Sequence, residues 1–287
     1  MWLKLECFQS TGSFKLRGAL NALLTLPAEA RQAGVLTVSA GNHGLGVARA
    51  ASLLGVPATV VVPATAAPIK VDALRRTTAH LVLEGSTYDE AERAGRAMAQ
   101  QQGLHFVSPY NDQAVVAGGG TLALEVLEDL PSTRCFVVPA GGGGLISGVG
   151  LAAHAVDANV AVRGAQSTAS PALHAALAAD HLVEVRVTDS LADGLAGNVE
   201  PGSLTFDLVR RHVADIALVD EQHIARGMRW LLEHEHVLVE GSAAVGVAAL
   251  LENTLRVADV DGPIVVILTG RNVSPAVVRH HVLGPLS

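Results

Sequence analysis

Between residues 34 and 112 short β-branched runs alternate with longer Ala-rich stretches, and this order constrains the fold more than any other feature of the chain. "GVLTVS" (34–39), "PATVVVP" (57–63), "HLVLEG" (80–85) and "LHFVS" (104–108) read as strands. Helical periods lie between them, from about His43 to Leu54, from about Ala67 to Thr77, and through "TYDEAERAGRAMAQQQG" to Gly103. Four strands interleaved with three helices require βαβ crossovers and therefore a parallel sheet. A longer helix over about 113–129 leads into "RCFVVPAGGGGLISGVGLAAHA", which is strand, glycine loop and helix. Further on, "NVAVRGAQ", "HLVEVRV" and "GPIVVILTG" repeat the strand pattern, while "EQHIARGMRWLLEHE" and "GSAAVGVAALLEN" repeat the helical one. The expected class is α/β, with two open, mostly parallel twisted sheets and helices on both faces. A small α/β domain over 34–112 is expected as an insertion in a larger domain made of 1–33 and 113–287.

Charge and cysteine content narrow the function classes. The net charge is −7 and no run of Lys or Arg exceeds two neighbours, which argues against a phosphate-backbone footprint. No apolar run approaches the ~20 residues of a membrane span. The start "MWLKLE" lacks a basic segment followed by a long apolar one. Cys7 and Cys135 are isolated and far apart, which fits a reducing compartment. These features suggest a cytoplasmic protein.

Four loops carry chemistry. The strongest is "VVPAGGGGLISG", where Gly141, Gly142, Gly143 and Gly144 sit between a strand and a helix. Without Cβ atoms this backbone can turn sharply and bring several N–H groups to one anion at a helix N-terminus. The dinucleotide spacing G-x-G-x-x-G fails, because Ser147 stands where the third glycine belongs, and no phosphate-loop lysine follows. A flexible turn is the bland alternative. In "SAGNHGLG" (39–46), Ser39, Asn42 and His43 offer a hydroxyl, an amide and an imidazole, with backbone donors at Gly41 and Gly44. Such a loop suits a carboxylate or phenolate oxygen, or else Ser39 or Asn42 is merely a helix cap. "LTGRN" (268–272) puts the Thr269 hydroxyl at the carboxyl end of an apolar strand, where α/β proteins bind ligands. The fourth is "TGSFKLRG" (11–18), where Thr11 or Ser13 can cap a helix. Lys15 on that helix has Gly18, Ala19 and Ala22 at +3, +4 and +7, a face shaved of bulk, while Leu16, Leu20, Leu23 and Leu24 supply core contacts. Next to Phe14, that face leaves room for something flat, and desolvation would favour a neutral, nucleophilic amine. A solvated lysine is the alternative.

One ligand would use all four loops: an aldehyde for the amine, a phosphate, a phenolic oxygen and a ring nitrogen, which together describe pyridoxal phosphate. The chain resembles the fold-type II pyridoxal-phosphate enzymes, in the threonine/serine dehydratase and serine racemase branch. The likeness runs through "KLECFQSTGSFKLRGALNA", "SAGNHG", "SPYNDQAVVAGGGTLALEV", "VVPAGGGGLISG", "LADGLA", "VEGSAAVGVAALL" and "TGRN", in the family's order. "GSFKLRGA" separates this branch from the cysteine synthases.

The resemblance implies that Lys15 binds the cofactor's aldehyde covalently and moves the substrate's α-proton. Phe14 would pack beside the ring, Asn42 would bond its phenolic oxygen, and Ser39, Asn42 and His43 would hold the substrate carboxylate. Gly141 to Gly144 would bind the phosphate, Thr269 would face the pyridine nitrogen where the family has a serine, and Gly194 and Glu240 would line the site. The implied reaction is an α,β-elimination on a 3-hydroxy amino acid such as threonine, serine or 3-hydroxyaspartate, giving a 2-oxo acid and ammonia. The branch's racemases carry a hydroxyl directly after the residue matching Ser39, where this chain has Ala40, so elimination is expected to outpace racemisation.

Three departures from the family follow. Relatives that hold a divalent cation do so through a glutamate and an aspartate whose places are taken here by Gln166 and Ala172, so no metal is expected. The family usually has about one more helix and strand before the first strand, so either the large domain is trimmed or the start is mis-set, and no C-terminal regulatory domain is expected. A homodimer is the family's usual assembly. "HEH" (234–236) and His280–His281 lack a third ligand at set spacing and read as ordinary surface. The rival readings are a non-catalytic phosphate-binding module, and a cofactor-dependent racemase or β-replacement synthase.

Overall fold

The computed structural model describes residues 1–284. In chain order its elements are β1 (Trp2–Lys4), α1 (Lys15–Thr25), α2 (Ala28–Ala33), β2 (Val35–Val38), α3 (Asn42–Leu54), β3 (Ala58–Val62), α4 (Pro68–Arg75), β4 (His80–Leu83), α5 (Tyr88–Gln102), β5 (His105–Phe106), α6 (Gln113–Asp129), β6 (Cys135–Pro139), α7 (Gly144–Val156), β7 (Ala161–Ser167), α8 (Ala172–Ala179), α9 (Leu204–His212), β8 (Asp215–Val219), α10 (Glu221–His234), α11 (Gly241–Leu251), β9 (Ile264–Ile267) and α12 (Pro275–Val277). Two sheets form, in the orders β1-β9-β6-β7-β8 and β4-β3-β2-β5. The strand pairs within both are parallel. No helix among the described residues is long and apolar enough to cross a membrane.

Packing divides the chain into a larger unit, Met1–Phe8 with Gly119 onward, and a smaller one, Gln9–Gly118. In the smaller unit the period of two along each strand places helices on both faces. Leu36, Val38 and Val61 pack with Ala91 and Ala99 of α5. On the opposite face Val35 joins α1 and α3, while Val60 and Val62 join α3 and α4. Helix α5 is well specified at both ends: Thr87 accepts from the Glu90 N–H, and Gly103 closes it at φ 67°. In the larger unit Cys135, Val137, Ala165 and Val266 pack with α10 and α11. A Cβ at Gly164 would instead meet Ile146 of α7, so α7 covers the other face.

Residues 9–33 and 113–118, flanking the expected insertion, pack with the smaller unit. The reason is visible in α1. A Cβ on Gly46 of α3 would lie 3.0 Å from the Lys15 carbonyl carbon, and one on Gly18 would lie 2.8 Å from the Val115 oxygen. Gly18, Ala19 and Ala22 are therefore buried, and the small-residue face is a close helix contact instead of an open slot for a flat ligand. Leu24, expected in the core, is half exposed.

Other expectations also change. "HLVEVRV" (181–187) forms no strand: the backbone N–H and C=O of Val185 bond to the Asn198 side chain, and most of the run is exposed. One edge strand of the larger sheet is β8, a short run not foreseen, as α8 and α9 were not, and β1 forms the other edge. Neither Thr11 nor Ser13 caps α1, because the cap position falls on Phe14 and Thr11 donates to the Ser13 carbonyl.

Candidate active site

The larger unit builds an anion cradle. Strand β6 ends at Pro139, and the chain turns through Gly141–Gly143 into α7, whose N-terminus has no side-chain cap. Gly143 has φ 90°, a conformation glycine adopts without strain. The loop is held from behind: Thr205 Oγ1 donates to the Gly142 carbonyl at 2.7 Å and lies 2.8 Å from Ser203 Oγ. Two of its positions are closed to a side chain, since a Cβ on Gly143 would lie 2.9 Å from Thr205 Cβ and one on Gly141 would lie 3.0 Å from Leu195 Cα. With its carbonyl turned back toward Thr205, the loop presents N–H groups at the positive end of a thirteen-residue helix.

Two further segments of this unit carry expected site residues. The Gly194 N–H donates to Ser242 Oγ at 3.0 Å, which ties the "LADGLA" segment to α11. Glu240, at the N-cap of α11, is buried, and its carboxylate accepts from the Asn272 N–H at 3.1 Å. Its own N–H donates to the Gly270 carbonyl. Glu240 and the "TGRN" turn thus form one piece, and Thr269 beside them is buried.

The smaller unit gathers the nucleophile and the asparagine loop. Lys15 opens α1, its Nζ donating to the Pro109 carbonyl at 2.7 Å and lying 5.2 Å from the Phe14 ring centroid. Strand β2 runs into the turn Ser39–Gly41, where the Gly41 N–H donates to Ser39 Oγ at 3.2 Å, and Asn42 opens α3. Gly44 must be glycine because a Cβ would collide with the Ser39 carbonyl. His43 is buried, with Nε2 3.2 Å from the Val107 carbonyl. A carbonyl only accepts, so Nε2 carries the proton and Nδ1 is a bare acceptor, which has no partner among the described residues. Burial first, and the Lys15 charge second, push the His43 pKa down to about 3. The ring is neutral and its one proton is engaged, so anything His43 donates to an anion comes from its backbone N–H.

These residues fit pyridoxal phosphate. A glycine loop closed to a Cβ at Gly141 and Gly143 suits a phosphate, a lysine amine beside an aromatic ring suits an aldehyde, and the fully buried Ser13 Oγ, which has no partner among the described residues, is a donor that a ligand oxygen could satisfy. At the positions expected to have lost a cation, Gln166 is fully buried with Oε1 accepting from the His174 N–H, and Ala172 begins α8. Sequence reasoning passed over Thr205, Ser203 and Ser242. The only local signal was "GSLTF", where Ser203 caps α9 by accepting from the Thr205 N–H. His234 stacks on Trp230, and among the described residues no three His, Cys, Asp or Glu side chains gather as a metal site.

Comparison with known proteins agrees with this chemistry. The family model described as "Pyridoxal-phosphate dependent enzyme" matches residues 1–270. An L-threonine ammonia-lyase of Thermotoga maritima is 43% identical over 274 residues, covering 95% of this chain and 67% of the relative. One from Geobacter sulfurreducens is 44% identical over 273 residues, with the same coverage of 95% and 67%. Among solved structures, maize serine racemase superposes with a TM-score of 0.91 at 34% identity, covering 96% of this chain and 84% of that one.

Proposed function

The chain belongs to the pyridoxal-phosphate dependent enzymes, and from that premise we propose that it is an ammonia-lyase acting on a 3-hydroxy amino acid, threonine or serine, to give a 2-oxo acid and ammonia. The observation that carries the reading is the 43% identity to an L-threonine ammonia-lyase along 95% of the chain, together with the cradle and lysine that such chemistry needs. When bound, pyridoxal phosphate supplies an electron sink for the bond broken at the substrate's α-carbon.

The residues divide the remaining work. Gly141–Gly144 hold the phosphate through backbone N–H groups that need no reorganisation. Lys15 Nζ would hold the cofactor through its aldehyde, and the same amine is the group that would take the substrate's α-proton. Phe14 gives that amine an apolar flank. Ser39, Asn42 and the N–H groups at the start of α3 hold the substrate carboxylate, and Asn42 also meets the ring's phenolic oxygen. Glu240 and Gly194 line the site. Thr269 would offer a ring nitrogen of the cofactor a neutral hydroxyl in place of a carboxylate. We place the enzyme in the cytoplasm, in keeping with the free thiols of Cys7 and Cys135, and working as a homodimer.

Racemisation is the second reading, because maize serine racemase shares the fold. It needs an acid/base group on each face of the α-carbon, and Ala40 can neither give nor take a proton. The deciding assay incubates the purified holoenzyme with L-threonine and L-serine and follows keto acid and isomer together. Keto acid should far outpace the D- or allo-isomer, and Ala40→Ser should raise the isomerised fraction. Isomer forming faster than keto acid in the unmodified enzyme would replace the lyase reading with a racemase.

A further inference from the structure

Glu221 was not singled out by the sequence, yet its carboxylate is the hub of a network behind the candidate cofactor site. It opens α10, where the helix N-terminus favours a negative charge. Oε1 accepts from Ser167 Oγ and Ser190 Oγ, both at 2.7 Å, and Oε2 accepts from the Leu191 N–H at 2.5 Å. Ser190 Oγ in turn accepts from the Ala192 N–H at 3.0 Å, and Ser167 is the last residue of β7. One carboxylate therefore joins the end of a sheet strand to the start of the segment Ser190–Leu195.

That segment is a wall of the site. It has only a single turn of 3-10 helix, Asp193–Leu195, so it depends on its anchors for its position. At one end the Leu191 carbonyl takes the space a Cβ on Gly241 would need, directly after Glu240. At the other, Leu195 Cα lies 3.0 Å from where a Cβ on Gly141 would be, against the tetraglycine loop. Gly194 is held between them by Ser242.

We propose that Glu221 is a positioning residue for the cofactor: it clamps Ser190–Leu195 against the tetraglycine cradle and thereby fixes the cradle's N–H groups on the phosphate. The inference rests on that loop being the phosphate site. Glutamine at 221 keeps one acceptor for the two serines but turns an N–H toward the Leu191 N–H, so the clamp opens at Leu191. Alanine at 190 removes one arm and leaves that peptide held.

The test uses full-length enzyme stripped of cofactor, titrated with pyridoxal 5′-phosphate by absorbance, together with the thermal midpoint of each cofactor-free protein. Because hydrogen bonds to a charged group are strong and each factor of ten is about 1.4 kcal/mol, Glu221→Ala should weaken cofactor binding at least about tenfold. Glu221→Gln should fall between it and Ser190→Ala, for which we expect about threefold. Should Glu221→Ala not fold, the other two variants carry the test. A merely structural role would lower the midpoints while leaving all dissociation constants within about twofold of the unmodified enzyme, and that result would overturn the proposal alone. An unmodified protein that takes up no pyridoxal phosphate would overturn the functional reading and this inference together.

Discussion

Gly143→Ala isolates what the cradle demands of its backbone. Gly143 sits at φ 90°, where an alanine pays roughly 1–2 kcal/mol in backbone strain. Its new methyl would lie 2.9 Å from Thr205 Cβ and 3.0 Å from Thr205 Oγ1, with Leu173 Cδ1 at 3.4 Å. Overpacking of this kind costs about 1–3 kcal/mol more. Thr205 cannot retreat without losing its bond to the Gly142 carbonyl, so the loop yields instead and carries its N–H groups off the anion position. If only about 2 kcal/mol of that sum appears in binding, affinity for pyridoxal phosphate falls about thirtyfold. Gly103→Ala is the control: its φ is 67°, but nothing lies within 4 Å of the added methyl, so it carries the backbone strain alone. Titration of both cofactor-free variants, with their denaturant midpoints, separates the two effects. Gly103→Ala should lose stability at unchanged cofactor affinity, and Gly143→Ala should lose both. Equal cofactor affinity in Gly143→Ala and the unmodified enzyme would refute the cradle argument.

Lys15→Ala should abolish the visible absorbance of lysine-bound cofactor and all turnover, and borohydride trapping of cofactor on a different lysine would move the assignment. His43 bears on acid stability. Its folded pKa of about 3 lies below the ordinary 6.5, so the neutral ring's contribution is complete above pH 6.5 and is lost as the pH falls toward 3. The loss should run at up to about 1.4 kcal/mol per pH unit, and denaturant unfolding of His43→Gln between pH 7 and 4 should show a shallower pH dependence than the unmodified protein, equal slopes counting against it. Exhaustive chelation should leave activity unchanged because Gln166 and Ala172 carry no charge, and a loss restored by magnesium or calcium would reveal a cation site elsewhere.

Much of this molecule was legible as sequence, for local reasons. A strand buried on both faces must be a short apolar run, and the helix that returns the chain must show its own period, so runs such as "GVLTVS", "PATVVVP" and "GPIVVILTG" are legible as strands from their residues. The tetraglycine loop stands out because Gly143 at φ 90° and the crowding that a Cβ would meet at Gly141 and Gly143 leave those positions little choice of residue. Where local pattern misled, tertiary contacts were responsible. "HLVEVRV" alternates like a strand, but the Asn198 amide satisfies Val185 and no neighbouring strand takes it up. The small face of α1 looked like room for a ligand, and α3 and Val115 occupy it. The supports of the site were invisible for the same reason. Thr205 reaches Gly142 across 63 residues, Ser242 reaches Gly194 across 48, and Glu221 reaches Leu191 across 30. Threonine, serine and glutamate are common on any polar surface, and although "GSLTF" signals a helix cap, nothing along the chain says which distant backbone group each of these three reaches. Only packing, which brings distant backbone groups within hydrogen-bond distance and removes the water that would otherwise satisfy them, decides which hydroxyl and which carboxylate hold the site in place.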